Sequence, residues 1–291
     1  MINLPKIRLG HSDVFVTRLI SGGNPLCANS HFSDEMNAEM RDYFTDAQVV
    51  AYLNNLQAAG INTIQARGDY HRILHWLELF RRKGGQLHWI AQTASEMSDV
   101  FQNIRIIAAA GAVAIYHHGS TTDNLWLEGK IDLVNDYLKY IRDTGVQVGL
   151  GTHIPEVIEY AEEKGWDIDF YMACFYNLNR KPRESALVSS NTSGVFQEEF
   201  LAEDPPRMCQ VIRKTQKRCL AFKILAASRI CATQQEVAAA FQFAFANIKP
   251  KDAVVVGMFP KHVDQIGLNI QHTLKACGLE TGDAQAPNND L

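Results

Sequence analysis

The chain of 291 residues carries 28 Lys+Arg against 32 Asp+Glu, a formal net charge of −4, with 46% hydrophobic and 21% charged residues. That balance excludes general disorder, and the lack of a basic field argues against a nucleic-acid partner. There is chain enough to bury a large core, as one barrel or as two domains.

The opening Met-Ile-Asn-Leu-Pro-Lys-Ile-Arg-Leu-Gly holds no apolar core of signal-peptide length. No apolar stretch approaches the ~18 residues of a membrane span, so a cytoplasmic protein without membrane contact is expected. Cys27, Cys174, Cys209, Cys219, Cys231 and Cys277 show no C-x-x-C spacing. They read as reduced thiols rather than a disulfide framework or a thiolate metal site.

Along the chain, Ile7-Arg8-Leu9-Gly10-His11-Ser12-Asp13-Val14-Phe15-Val16 alternates around a polar turn. It predicts a hairpin that could plug the N-terminal end of a barrel. A strand is expected at 18–22, then a long connection at 24–45. A helix follows at 46–59, where Val49, Val50, Leu53 and Leu56 share one face. Asp46 opens that helix and Gly60 closes it. Further strands are predicted at 61–65, 87–92, 112–117, 146–151 and 168–173. Helical periodicity follows them at 71–83, 98–110, 131–144 and 154–164. After a second long connection, 177–205, come helix 206–217, strand 219–225, helix 234–248, strand 253–257 and helix 262–275. Eight strand–helix units predict a parallel (β/α)8 TIM barrel rather than an open doubly wound sheet. It occupies residues 1–279, and a polar tail fills 280–291.

Several motifs, taken in order, resemble the aldo/keto reductase superfamily. Arg8-Leu9-Gly10-His11-Ser12 through Val16-Thr17-Arg18-Leu19 is similar to the opening "LGxSGLxVSRL", and Ala59-Gly60-Ile61-Asn62-Thr63 to "AGINFFDTAxxY". Ile115-Tyr116-His117-His118 resembles "YLxH", and Val148-Gly149-Leu150-Gly151-Thr152-His153 resembles "IGxSxH". Phe175-Tyr176-Asn177 is similar to "EYN", Lys223-Ile224-Leu225-Ala226-Ala227 to "KPLAGG", and Asp264-Gln265-Ile266 with Asn269 to "EQVxEN".

The resemblance implies reduction of carbonyls with NADP(H) or NAD(H). In that family a Tyr donates the proton, a Lys–Asp pair lowers its pKa and a His positions the substrate. Carried over by position, Tyr70 is the Tyr and His117 the His, with His117 facing the barrel axis. Gln65 stands at the Asp position, and Thr93 or Gln92 at the Lys position, so half the set is absent. Tyr176, Asn177, Gly257 and Asn269 match the cofactor side. Phe259, Pro260 and Gln265 replace the residues that hold an adenosine 2′-phosphate. Lys261 is close enough to substitute, or is a solvated turn charge.

The predicted strand ends also gather Arg67, Asp69, Glu96, His118 and His153, where barrel enzymes place their chemistry. Only one of His117 and His118 can face the axis, because neighbours on a strand alternate. A lysine at Lys223, on a buried strand, must be paired, depressed in pKa or snorkelling. It could replace the missing Lys, act as a base or form a Schiff base. Pairing with Asp69 or Glu96 is the structural alternative, and Arg67 and Asp69 could also simply brace a loop. His117 or His118, His153, Asp69 and Glu96 are residue types that a divalent metal accepts, without any local ligand motif. The leading expectation is an oxidoreductase acting on a small polar, sugar-like substrate, with Tyr70, His117, Lys223, Asp69 and His153 as its catalytic set. Its alternatives are a lyase, isomerase or hydrolase using the same residues, and a non-catalytic binding barrel.

Overall fold

Short runs such as Ala253-Val254-Val255-Val256-Gly257 are apolar on both faces, which suits strands buried inside and out, as in a parallel barrel. The computed structural model describes residues 3–68, 72–181 and 198–279. The polar tail from 280 lies outside them. A hairpin comes first, β1 (Lys6–Arg8) antiparallel to β2 (Phe15–Thr17). Then follow β3 (Leu19–Gly22), α1 (Asp34–Tyr43), α2 (Asp46–Ala58), β4 (Thr63–Arg67), α3 (Ile73–Arg82), β5 (His88–Gln92) and α4 (Val100–Ala109). The middle of the chain forms β6 (Ala114–His117), α5 (Gly119–Leu127), α6 (Asp132–Asp143), β7 (Gln147–Thr152), α7 (Pro155–Glu163) and β8 (Phe170–Cys174). The last elements are α8 (Asp204–Lys214), β9 (Arg218–Phe222), α9 (Gln234–Asn247), β10 (Ala253–Gly257) and α10 (Gln265–Ala276).

Strands β3 to β10 close into a parallel barrel, with β10 returning to pair with β3 in the register Val254↔Leu19. This is the (β/α)8 fold. Its pleat divides the core in two. Ile20, Ile90, Tyr116, Phe170, Leu220 and Val255 fill the interior, joined by Ile7, Leu9 and Val16 of the hairpin. Their strand neighbours Leu19, Trp89, Ile115, Tyr171 and Val254 face the helix layer. The hairpin therefore plugs the N-terminal end. Gly149 makes room for two of the larger interior side chains. A Cβ there would stand 2.4 Å from the Phe170 ring and 2.6 Å from the Tyr116 Cβ.

Two helices were not expected. Helix α1 lies inside the first long connection, capped by Ser33, whose hydroxyl accepts from the Met36 amide, and only its Met40 is buried. Helix α5 follows β6 directly. It buries Gly119, Ser120, Thr122 and Asp123 against the barrel, so it carries no apolar stripe to read. Among the described residues no helix is long and apolar enough to cross a membrane.

Candidate functional site

The C-terminal ends of the strands form the face on which barrel enzymes carry their loops. A cleft of about 250 Å³ opens there beside the ends of β9, β10 and β3. Gly22, Gln65, Lys223, Gly257, Gln265 and Asn269 are among its lining residues. Gly257 is exposed on its floor. A Cβ at that position would press on the Pro25 ring at 3.1 Å, so a side chain has little room there and the exposed residue is glycine. The first turn of α10 stands beside it, capped by Asp264, whose carboxylate accepts from the Gly267 amide at 2.9 Å. Gln265 Oε1 accepts from the Phe259 amide at 2.7 Å.

The residues expected to hold a cofactor divide into three groups. Gly257 and Asn269 line the cleft. Lys261 does not line it: its Nζ sits 2.8 Å from Glu39 Oε1, an oxygen that it shares with His262. Tyr176 packs on Phe200 with ring centroids 5.0 Å apart, and burial raises its phenol pKa. The Asn177 amide donates to Asp204 Oδ2 at 3.1 Å, and Asn177 lines a separate hollow of about 70 Å³ with His153 and Arg207.

The wall formed by β4, β5 and β6 is neutral. Gln65 Nε2 donates to the Tyr116 hydroxyl at 2.8 Å, and that hydroxyl donates to Gln92 Oε1 at 2.8 Å. This chain of two amides and a phenol occupies the places where the resemblance puts an Asp and a Lys. Burial drives the Tyr116 pKa far above the ordinary phenol range, so the hydroxyl stays protonated. Arg67 pairs with Glu96 at the rim. Asp69 and Tyr70 lie outside the described residues.

The expectation that His117 faces the barrel axis is not met. Ala114 and Tyr116 take the inward positions of β6, and alternation turns His117 outward. Its ring is 1% exposed, stacks on Tyr137 at 5.2 Å and lies 2.8 Å through Nδ1 from the Thr122 hydroxyl. Burial lowers its pKa to about 4, which keeps it neutral at physiological pH. His118 heads α5 instead, with its amide donating to Thr93 Oγ1 at 3.0 Å and its Nδ1 3.1 Å from the Thr121 hydroxyl.

His153, at the end of β7, is held by a carboxylate that the sequence did not single out. Asp123 of α5 lies 2.7 Å from His153 Nδ1 through Oδ2, and it also accepts from the His153 amide and the Thr152 hydroxyl. Asp123 is fully buried and His153 is 5% exposed. Such a carboxylate fixes the orientation of the ring, the arrangement that an acid–base histidine needs.

The strand expected at 219–225 stops at Phe222, so Lys223 follows β9 rather than lying within it, with φ +58°, and Ala226, Ala227 and Ser228 also adopt left-handed backbone conformations. A non-glycine residue there costs on the order of 1 kcal/mol. The Lys223 ammonium lies 3.4 Å from Glu198 Oε2, not against Glu96. Glu198 Oε1 is 3.0 Å from His31 Nδ1. Among the described residues no group of three His, Cys, Asp or Glu is disposed to hold a metal ion.

No family model and no curated sequence matches this chain. Solved structures do. An aldo-keto reductase described as putative, from Pseudomonas aeruginosa, aligns over 94% of this chain and 95% of its own at 19% identity, TM-score 0.60. A glycerol dehydrogenase from Gluconobacter oxydans aligns over 97% and 99% at 10% identity, TM-score 0.52. A truncated 3-deoxy-D-arabino-heptulosonate 7-phosphate synthase from Thermotoga maritima aligns over 96% and 95% at 13% identity, TM-score 0.54. The likeness is to the barrel. Redox and non-redox enzymes share it to a similar degree, so the fold alone does not select a reaction.

Proposed function

We propose that the protein is an oxidoreductase that uses a nicotinamide nucleotide on a carbonyl or hydroxyl of a small polar, sugar-like substrate. The observation that carries this reading is the cleft at β9, β10 and β3, with its bare Gly257 floor beside Asn269. It coincides with the motifs whose order resembles the aldo/keto reductases. A backbone open to close approach fits a nucleotide. Among the described residues no basic side chain lines the β10–α10 end, where Phe259 and Gln265 stand and Lys261 is engaged by Glu39. The donor set therefore fits a nucleotide without calling for a 2′-phosphate.

When bound, the nicotinamide ring supplies or accepts the hydride. On this reading Gly257 and Asn269 hold the nucleotide, and Tyr70 remains the proposed proton donor, with Asp69 next to it in the sequence. Gln65, Tyr116 and Gln92 offer neutral hydrogen-bonding groups rather than a charged pair, so among the described residues lining the cleft Lys223 is the cation that can face the substrate.

Titration of the tryptophan fluorescence with NADH and with NADPH tests the reading. The expected result is saturable binding of both, with less than about tenfold preference, because each lost charge-assisted contact to a 2′-phosphate is worth roughly 1.5–3 kcal/mol. Submicromolar NADPH with strong rejection of NADH would overturn the altered pocket. No saturable binding of either would overturn the redox reading. The buried His153–Asp123 pair favours a second reading, a non-redox lyase, isomerase or hydrolase on the same barrel, which predicts that last outcome.

A further inference from the structure

The β4–β6 wall offers Gln65, Tyr116 and Gln92, with the Arg67–Glu96 pair out at the rim, and among the described lining residues of the cleft Lys223 is the one lysine or arginine and none is an Asp or Glu. Its side chain is 9% exposed. An ammonium so enclosed is costly unless a carboxylate stands against it. That carboxylate is Glu198, 2% exposed and contributed by the segment that precedes α8. The same carboxylate is gripped from the other side by His31, on the connection after β3. Arg229 ties the arrangement together: it donates to the His31 carbonyl at 2.9 Å and lies 4.0 Å over the Phe200 ring. Three separate stretches of chain thus converge on one buried carboxylate behind one cleft-lining amine.

The backbone at Lys223 points the same way. Leu220 faces the barrel interior and Ala221 the helix layer, so alternation continued past Phe222 would turn the next side chain outward into the helix layer. The left-handed conformation of Lys223 breaks that alternation, and its side chain lines the cleft instead. Strain of this kind persists only where surrounding contacts over-determine it.

We propose that Glu198 is the positioning residue for Lys223, holding its ammonium on the cleft wall to face an oxygen of the bound substrate, with His31 fixing Glu198 in turn. The inference rests on the reading of the cleft as the substrate site and deepens it. At 3.4 Å the pair is looser than the 2.7–2.9 Å of the tightest charge-assisted bonds. The ammonium can therefore turn toward a ligand without leaving its carboxylate.

The test is chemical. The folded full chain is treated with a small amine-acetylating ester, and acetylation at Lys223 is followed by mass spectrometry relative to the exposed Lys83. Glu198→Gln removes the charge and keeps the shape; Lys223 should then acetylate about tenfold faster relative to Lys83, since the neighbouring carboxylate no longer favours the protonated amine. Glu198→Asp keeps the charge and should stay within about threefold of the parent. Burial alone would slow all three chains alike. Equal Lys223 rates in the parent and Glu198→Gln would overturn the proposal, as would release in Glu198→Asp equal to that in Glu198→Gln. If Glu198→Gln does not fold, His31→Gln gives the same reading: loosening Glu198 should speed Lys223, and an unchanged rate would count against the relay. The nucleotide titration reads the cleft and not this pair, so failure of one leaves the other legible.

Discussion

The two walls of the barrel mouth use polar residues in opposite ways. On the β4–β7 side the polar groups are buried and spend their hydrogen bonds on one another: Gln65 to Tyr116 to Gln92, Thr122 with His117, and Asp123 with His153. On the β9–β10–β3 side Lys223 and Asn269 line the cleft, Gly257 is exposed, and the cation on the wall is held from behind. A buried polar network that is fully satisfied gives a unique, rigid packing, and a ligand must compete with the contacts already made. A cleft with exposed backbone has no such competition. The difference teaches that residue types which look catalytic on paper can serve the core on one wall and line an open cleft on the other.

The sharpest way to break the comparison is at Asp123. Asp123→Ala removes one partner of a buried pair and should cost about 3–5 kcal/mol in urea unfolding. Nucleotide affinity of the folded protein should change little. A stable Asp123→Ala variant that no longer binds nucleotide would reverse the assignment of the two walls.

The next effect is one of pH. His117 is buried neutral with its pKa lowered from 6.5 to about 4. The unfolded chain therefore takes up this proton at a higher pH than the folded one, and the stability contribution is present above pH 6.5 and is lost as pH falls toward 4. The full loss is about 3 kcal/mol. Urea midpoints at pH 7 and pH 4.5 should show this fall, and His117→Gln should flatten it. An identical acid limb in His117→Gln would place the titration elsewhere.

On the open wall the signature should be reversed. Gly257→Ala puts a methyl on the cleft floor against Pro25. Nucleotide affinity should weaken by about tenfold, measured by fluorescence, while stability moves by about 1 kcal/mol or less. Unaltered affinity would remove Gly257 from the ligand's path. The smallest effect is expected at Lys261, which the cleft does not use. Lys261→Gln should leave both nucleotide affinities within about twofold, and a selective loss of NADPH binding would restore it as a phosphate ligand.

Much of the barrel was legible in the sequence because its strands are bounded apolar runs and most of its helices carry an apolar stripe. The strand expected at 253–257 is β10 residue for residue, and that at 168–173 differs from β8 by two residues at its start and one at its end. Helices α1 and α5 escaped for a physical reason: one is polar on almost every face, and the other packs through small polar residues. Gly257 and Asn269, singled out by their motif, do line the cleft. His117 was misplaced because a motif alignment fixed its register. The alternation of Ala114 and Tyr116 on the inner face was the better guide. Asp123 and Glu198 left no local pattern. Each meets its partner across a sequence gap, Asp123 with His153 and Glu198 with both Lys223 and His31, and only the closed barrel brings them together.

The pairing of β3 with β10 also bears on how the chain acquires its shape during synthesis. Leu19 cannot find Val254 until the whole stretch between them has left the ribosome, which at about 5–20 residues per second takes on the order of ten to fifty seconds. Through that interval the first barrel strand has one open edge, and the hairpin that seals the bottom, Ile7, Leu9 and Val16, has only part of its eventual surroundings. Native contacts here are strongly non-local, so assembly is slow and the unfinished sheet is the species most exposed to wrong partners. Chaperone demand during expression should accordingly fall on the growing chain before β10 appears, and not on the finished protein.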